Sequence, residues 1–274
     1  MIAFGPAIVA LGGVQAATAA LPGAGLPAWL PKPRSAAWGL IAPGSIVAVV
    51  IVIAQLPQAA DLLTWLAFLA IPPLAAAALG WAMRGARSLF ALAAAPLFAV
   101  AWASVGSLAG QSAATILSAL SCVTLGRLLA GIAPAWALKL GIIVAAIVDT
   151  WLIVSNKLQA PNAVLNAAVP APGLPQLQVT AFASARMGYG DLFVAGLLGG
   201  TLAAEGRDTL RPALLVFALA SLMDLLFLVT NELPATVPVA LTLIVFEWHR
   251  GRRAGRRLGP RRGERAADVV SRAP

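Results

Sequence analysis

Two acids stand inside runs that are otherwise apolar enough to cross a bilayer. Asp149 lies in Leu138–Val154, LKLGIIVAAIVDTWLIV, and Asp191 lies in Ala183–Gly200, ASARMGYGDLFVAGLLGG. A charged side chain at the centre of a membrane helix costs roughly 2.5–3.5 kcal/mol on insertion scales, so each acid is a functional candidate by default. Two carboxyls held together share one proton. That pair suits peptide hydrolysis: the ionised acid activates a water and the protonated one donates to the scissile carbonyl oxygen. The elements that must position the acids are two consecutive helices with small residues on the facing sides. Ala145 and Ala146 precede Asp149 by one turn, and helical steps around Asp191 give Ser184, Gly188, Ala195 and Gly199. Stripes of small residues let membrane helices approach closely. Gly188 and Gly190 also clear side chains from around Asp191, and each weakens the helix by up to about 1 kcal/mol, which favours local unwinding.

A third piece opens the last apolar run, Leu233-Pro234-Ala235-Thr236. With Val148-Asp149 and Gly188-Tyr189-Gly190-Asp191, it gives an order and spacing that resemble the presenilin and signal peptide peptidase family of intramembrane aspartyl proteases. The likeness is to a prokaryotic presenilin-like member. The resemblance implies an all-α, polytopic integral membrane fold of about nine spans, with Asp149 and Asp191 catalytic. It assigns Gly188, Tyr189, Gly190, Pro234, Ala235 and Thr236 to substrate binding or support of the site, and it implies no cofactor and no metal. The implied partners are a transmembrane-helix or signal-peptide substrate and membrane lipid, with self-association left open. Two positions depart from the family pattern: Val148 stands where Tyr is usual, and Thr236 stands where Leu is usual. The resemblance covers mainly Ala135 to Trp248.

Composition excludes a soluble domain. Of 274 residues, 60% are hydrophobic and 11% charged, against about 25% charged in soluble domains. One Cys, Cys122, allows no intrachain disulfide, and one His with one Cys cannot assemble a His/Cys metal centre. The His-Glu-x-x-His pair of an intramembrane metalloprotease is missing.

Hydropathy places nine spans: Ile2–Leu21, Trp38–Ala54, Leu62–Met83, Ser88–Val105, Ala113–Ala130, Ala135–Val154, Val179–Ala203, Pro212–Thr230 and Pro234–Trp248. They divide the chain into an N-terminal bundle (1–134), a catalytic region (135–248) and a basic, disordered tail (249–274). The connection Ser155–Gln178 shows no hydrophobic periodicity. The charge of +9 is concentrated in the tail. Lys32, Arg34, Arg84, Arg87, Arg127, Arg207 and Arg211 follow or close the odd-numbered spans, whereas the alternate connections hold only Lys157. By the positive-inside rule the N-terminus faces outside and the C-terminus the cytoplasm, which is the signal peptide peptidase orientation; the resemblance to a prokaryotic member implies a prokaryotic cell membrane. The tail reads as an orientation signal that contacts anionic lipid, not nucleic acid.

Two other readings compete. A prepilin-peptidase-like enzyme also uses Gly-x-Gly-Asp, but it usually has Lys two residues beyond the acid, where this chain has Phe193. A proton-coupled transporter could use Asp149, Asp191 and a third intramembrane acid, Asp224. Asp224 is expected to be structural and bonded to a neighbouring helix.

Overall fold

The computed structural model describes residues 4–24, 35–228, 230 and 233–258. The linker cations Lys32 and Arg34, the acid Glu232 and the tail from 259 onwards lie outside the described residues. The chain is mostly helical. The helices are α1 (Phe4–Ala20), α2 (Ile41–Gln55), α3 (Ala59–Ala77), α4 (Ala94–Ala103), α5 (Leu108–Ile132), α6 (Ala135–Val154), α7 (Gln159–Ala167), α8 (Tyr189–Ala204), α9 (Leu210–Asp224) and α10 (Val237–Leu258). Tighter turns extend α2 and α4 at their starts and α9 at its end, and a wider turn extends α3 at its end. Five of the resulting segments, Ala36–Gln55, Ala59–Ala82, Leu108–Ile132, Ala135–Val154 and Leu210–Phe227, are long and apolar enough to cross a membrane. Phe4–Ala20, Ser88–Ala103 and Tyr189–Ala204 are apolar but shorter.

The expected helix over Val179–Ala203 is overturned at its first ten residues. Strands β1 (Val179–Phe182) and β2 (Ala185–Gly188) form an antiparallel hairpin, in the register Val179 to Gly188 and Phe182 to Ala185. Helix begins only at Tyr189, so Ser184 and Gly188 share no helical face with Asp191. The reason is tertiary. One face of α5 carries Gln111, Thr115, Ser118 and Ser121, and it supplies partners to the hairpin and its approach. Gln111 Oε1 accepts from Ala183 N at 2.8 Å, and the Thr115 and Ser118 hydroxyls donate to the carbonyls of Ala181 (3.2 Å) and Leu177 (2.9 Å). Non-helical backbone is tolerated in such a chain only where its polar groups are met like this. Ala183 carries the turn with φ of 53°, a conformation that usually falls to glycine; the bond from Gln111 helps to hold it.

Other boundaries shift as well, and α5 starts at Leu108, five residues before Ala113. The connection Ser155–Gln178 contains α7, and the Gln176 and Gln178 amides tie the following loop back to the carbonyls of Asn166, Leu165 and Ala168. The last helix starts at Val237 instead of Pro234, leaving Leu233–Thr236 non-helical. Residues 249–258, expected in a disordered tail, continue α10 as helix.

α5 runs through the centre and is buried over most of its length, whereas α2, α3 and α9 turn much of their apolar surface outwards. Leu62, Leu66 and Leu69 on α3 are each at least 60% exposed. That pattern fits a lipid-facing rim around a protein-filled centre. One apolar core joins residues of α1, α5, α6, α8, α9 and α10, and so runs across residue 134 without a break. The tightest seam lies between α5 and α8. A Cβ at Gly126 would run into the Gly196 carbonyl, one at Gly196 into that of Cys122, and one at Gly200 into that of Gly126. Gly199 meets α1 in the same way at Ala19. The anticipated close approach is therefore made on two sides of α8, and Gly196 and Gly200 lie outside the anticipated stripe.

The connections that follow α1, α3 and α8 gather at one end of the bundle. Gly23 N donates to the Ala82 carbonyl and Arg84 N to that of Leu21, both at 2.8 Å. Thr209 donates to the Ala20 carbonyl, and Arg127 reaches that of Ala24. At that same end Lys139 of α6 bridges Glu205, just beyond α8, at 2.6 Å and Glu247 of α10 at 3.1 Å. Arg207 pairs with both acids.

Candidate active site

Asp149 sits on the inner face of α6 with Ala145 and Ala146, and it is only 7% exposed. A buried carboxyl needs hydrogen-bond partners. Here Thr236 Oγ1 donates to Asp149 Oδ2 at 2.7 Å. Thr236 directly precedes the first residue of α10, and its own carbonyl accepts from Ala240 N. The second residue of α10 is Pro238, which has no N–H for a capping side chain to meet. The Thr236 hydroxyl proton goes to Asp149.

Asp191 lies in the first turn of α8. Its Oδ2 accepts from Gly188 N at 3.1 Å, the contact an acid three residues into a helix makes with the residue before it. The hairpin ends and the helix begins at Gly188, so the acid sits where strand becomes helix. The stretch that bonds Asp149 and the backbone of Asp191 meet at one side chain of α1: the Gln15 amide reaches the carbonyls of both Asp191 and Ala235, and Ala235 adjoins Thr236. A Cβ at Gly190 would meet nothing within 4 Å, so this glycine leaves space beside Asp191. Gly188 is tighter, with Asp191 Oδ2 at 3.2 Å from such a Cβ.

Tyr189 reaches α5. Its hydroxyl lies 2.7 Å from Ser121 Oγ on α5, a contact that anchors the start of α8. Pro234 and Ala235 lie in the non-helical stretch before α10. The Ala235 carbonyl accepts from Gln15 Nε2 at 2.8 Å, and the same nitrogen reaches the Asp191 carbonyl at 3.4 Å. Hydrogen bonds thus link Asp149 to Thr236, and through Ala235 and Gln15 to Asp191, with Gly188 and Gly190 beside Asp191 in the chain.

Asp224 ends α9, half-buried. Its Oδ2 has no hydrogen-bond partner among the described residues, nor does the neighbouring Ser221 hydroxyl. The expected bond from Asp224 to another helix is not seen among them.

Sequence reasoning missed Gln15 and the polar face of α5. Both had a legible signal. Gln15 is a lone amide in an apolar helix, which is expensive to bury without partners. Gln111, Thr115, Ser118 and Ser121 recur at helical spacing and mark one face of α5. Comparison with known proteins returns no matching family model, no matching curated protein and no matching solved structure.

Proposed function

We propose that the chain is an intramembrane aspartyl protease, cleaving peptide bonds in transmembrane helices or signal peptides with Asp149 and Asp191. The observation that supports this reading is geometric: Thr236 holds the Asp149 carboxyl, and the Gln15 amide joins the neighbouring Ala235 carbonyl to that of Asp191, so the two acids, from two apolar helices, flank one non-helical stretch. A water between the carboxyls loses a proton to the ionised acid and attacks the scissile carbonyl carbon. The protonated acid donates to the carbonyl oxygen, and collapse of the tetrahedral species expels the amine, which takes a proton from the dyad.

A membrane substrate arrives as a helix with its carbonyls bonded internally and must be extended first. β2 has no strand on its outer side among the described residues, and it leads through Gly188 to Asp191. An extended peptide added along that edge would carry its backbone to the acids, and the bare Gly190 leaves room there. Depth agrees as well. Asp149 lies ten residues along α6 from Lys139, and Asp191 lies fourteen before Glu205. At about 1.5 Å per residue, the acids stand about 15–21 Å from the charged end, near the middle of a bilayer core about 30 Å thick. In this reading all nine apolar segments span a prokaryotic cell membrane, with the charged end cytoplasmic. Catalysis needs no cofactor, and the Arg-rich tail meets anionic lipid.

The test is cleavage of a quenched fluorogenic apolar-helix peptide by purified protein in vesicles. Asp149→Asn and Asp191→Asn should each lower the rate by more than about a hundredfold, while Asp224→Asn keeps it. Cleavage that survives either of the first two substitutions ends the dyad. Proton uptake that requires all three acids, with no cleavage by the unaltered chain, selects the transporter reading.

A further inference from the structure

We propose that Gln15 is a positioning residue for the dyad, tying α1 to the backbone on both sides of the site; this rests on the protease reading. Gln15 is fully buried, and its one nitrogen faces two carbonyls, Ala235 at 2.8 Å and Asp191 at 3.4 Å. Those carbonyls belong to the two pieces that must be held in register. Ala235 is bonded through the chain to Thr236, whose hydroxyl holds Asp149. Asp191 is the other acid. One side chain on the first helix therefore spans the seam between α8 and the non-helical stretch before α10, and through Thr236 its hold reaches α6.

The amide is poorly matched to a purely structural role. Its Oε1 is buried and has no partner among the described residues. A half-satisfied buried amide is worse for stability than an apolar side chain of the same shape. Local rules are broken in this way mainly where function requires it. The first N–H groups of α10 bond the carbonyls on either side, Val237 N to Pro234 and Ala240 N to Thr236, which leaves the Ala235 carbonyl to Gln15. Without Gln15 the Ala235 carbonyl loses its donor, and the stretch keeps its bonds to α10 but not its tie to α1 and α8.

The experiment uses the full chain in vesicles and the same quenched apolar-helix peptide. Gln15→Met keeps the volume and removes the donor. It should lower kcat about tenfold or more and leave KM within about twofold, because a misplacement of about 1 Å in a catalytic group suffices for such losses. An unchanged kcat, or a rise in KM alone, overturns the proposal. A second readout does not depend on cleavage. Spin labels at the exposed positions Ile147 on α6 and Leu241 on α10, in a Cys122→Ser background, report the separation of the two helices near the site. Gln15→Met should shift or broaden that distance by about 1 Å or more, and an unchanged distribution overturns the proposal. Should the Met variant not fold, Gln15→Asn keeps the amide but withdraws it by one methylene, and the same outcomes decide. If the unaltered chain cleaves nothing, the protease reading falls, and the label distance alone decides whether Gln15 sets the geometry.

Discussion

Thr236 is the residue whose type carries the most information after the two acids. It stands where the resembled family usually has Leu, and its hydroxyl donates to the buried Asp149 carboxyl. Replacing it with Val keeps the shape and leaves that oxygen without its donor, at a cost of about 1–3 kcal/mol. Thr236→Val should therefore lower both the unfolding temperature and the cleavage rate, whereas Thr236→Ser should keep most of each. Thermal melts and peptide cleavage on the same preparations check this. Equal activity in Thr236→Val and the unaltered chain would make the hydrogen bond irrelevant to the chemistry. Asp224 differs from Asp149 in kind. Its Oδ2 is buried with no partner among the described residues, so making it Asn removes a carboxyl that is costly to bury and should not weaken the fold.

At the scale of elements, α5 and α8 approach through three glycines, and the contact tolerates no Cβ. Gly196→Ala gains up to about 1 kcal/mol of helix propensity but drives a methyl into the Cys122 carbonyl. Overpacking of this kind costs about 1–3 kcal/mol, so the steric term wins and the variant should melt earlier. Gly190→Ala is the control, because its Cβ meets nothing within 4 Å. It should fold as well as the unaltered chain and cleave more slowly, since the space it fills is the space proposed for substrate. If Gly190→Ala cleaves at the normal rate, substrate does not pass on that side of Asp191. The hairpin belongs to this scale too. It shortens α8 to 16 residues and puts strand, turn and helix start side by side at the acid.

At the scale of the whole molecule, the ion pairs among Lys139, Glu205, Arg207 and Glu247 clamp one end of α6, α8 and α10. α6 and α8 carry the two acids, and α10 follows directly on the stretch that holds Thr236. The side chains are partly buried, with 14–33% exposure, so solvent screens them less than fully exposed pairs. The connections after α1, α3 and α8 gather at this end, and in the proposed orientation this end is the cytoplasmic one. Cysteine labelling with a membrane-impermeant thiol reagent checks the orientation. Lys157→Cys should react on intact cells, and Arg211→Cys should react only after permeabilisation. The native Cys122 is fully buried and should stay silent. The reverse pattern would invert the protein in the membrane and leave the dyad untouched.

The sequence by itself determined the helical membrane class, since 60% hydrophobic residues with 11% charged ones leave no soluble alternative of this length. It also determined which acids are costly enough to notice and that α8 carries small residues for close packing, because hydropathy and helical spacing are local properties. What lay beyond it was decided by contacts between residues far apart in the chain. The stretch ARMG has no strong strand preference, and it becomes β2 because it pairs with β1, while β1, its approach and the turn find partners on α5, about seventy residues upstream. Gln15 gains its place from carbonyls 176 and 220 residues away. Thr236 reads as a departure from a motif until the fold sets it against Asp149, 87 residues away. Buried polar groups must find partners wherever the packed chain supplies them, and only the tertiary structure decides which ones those are.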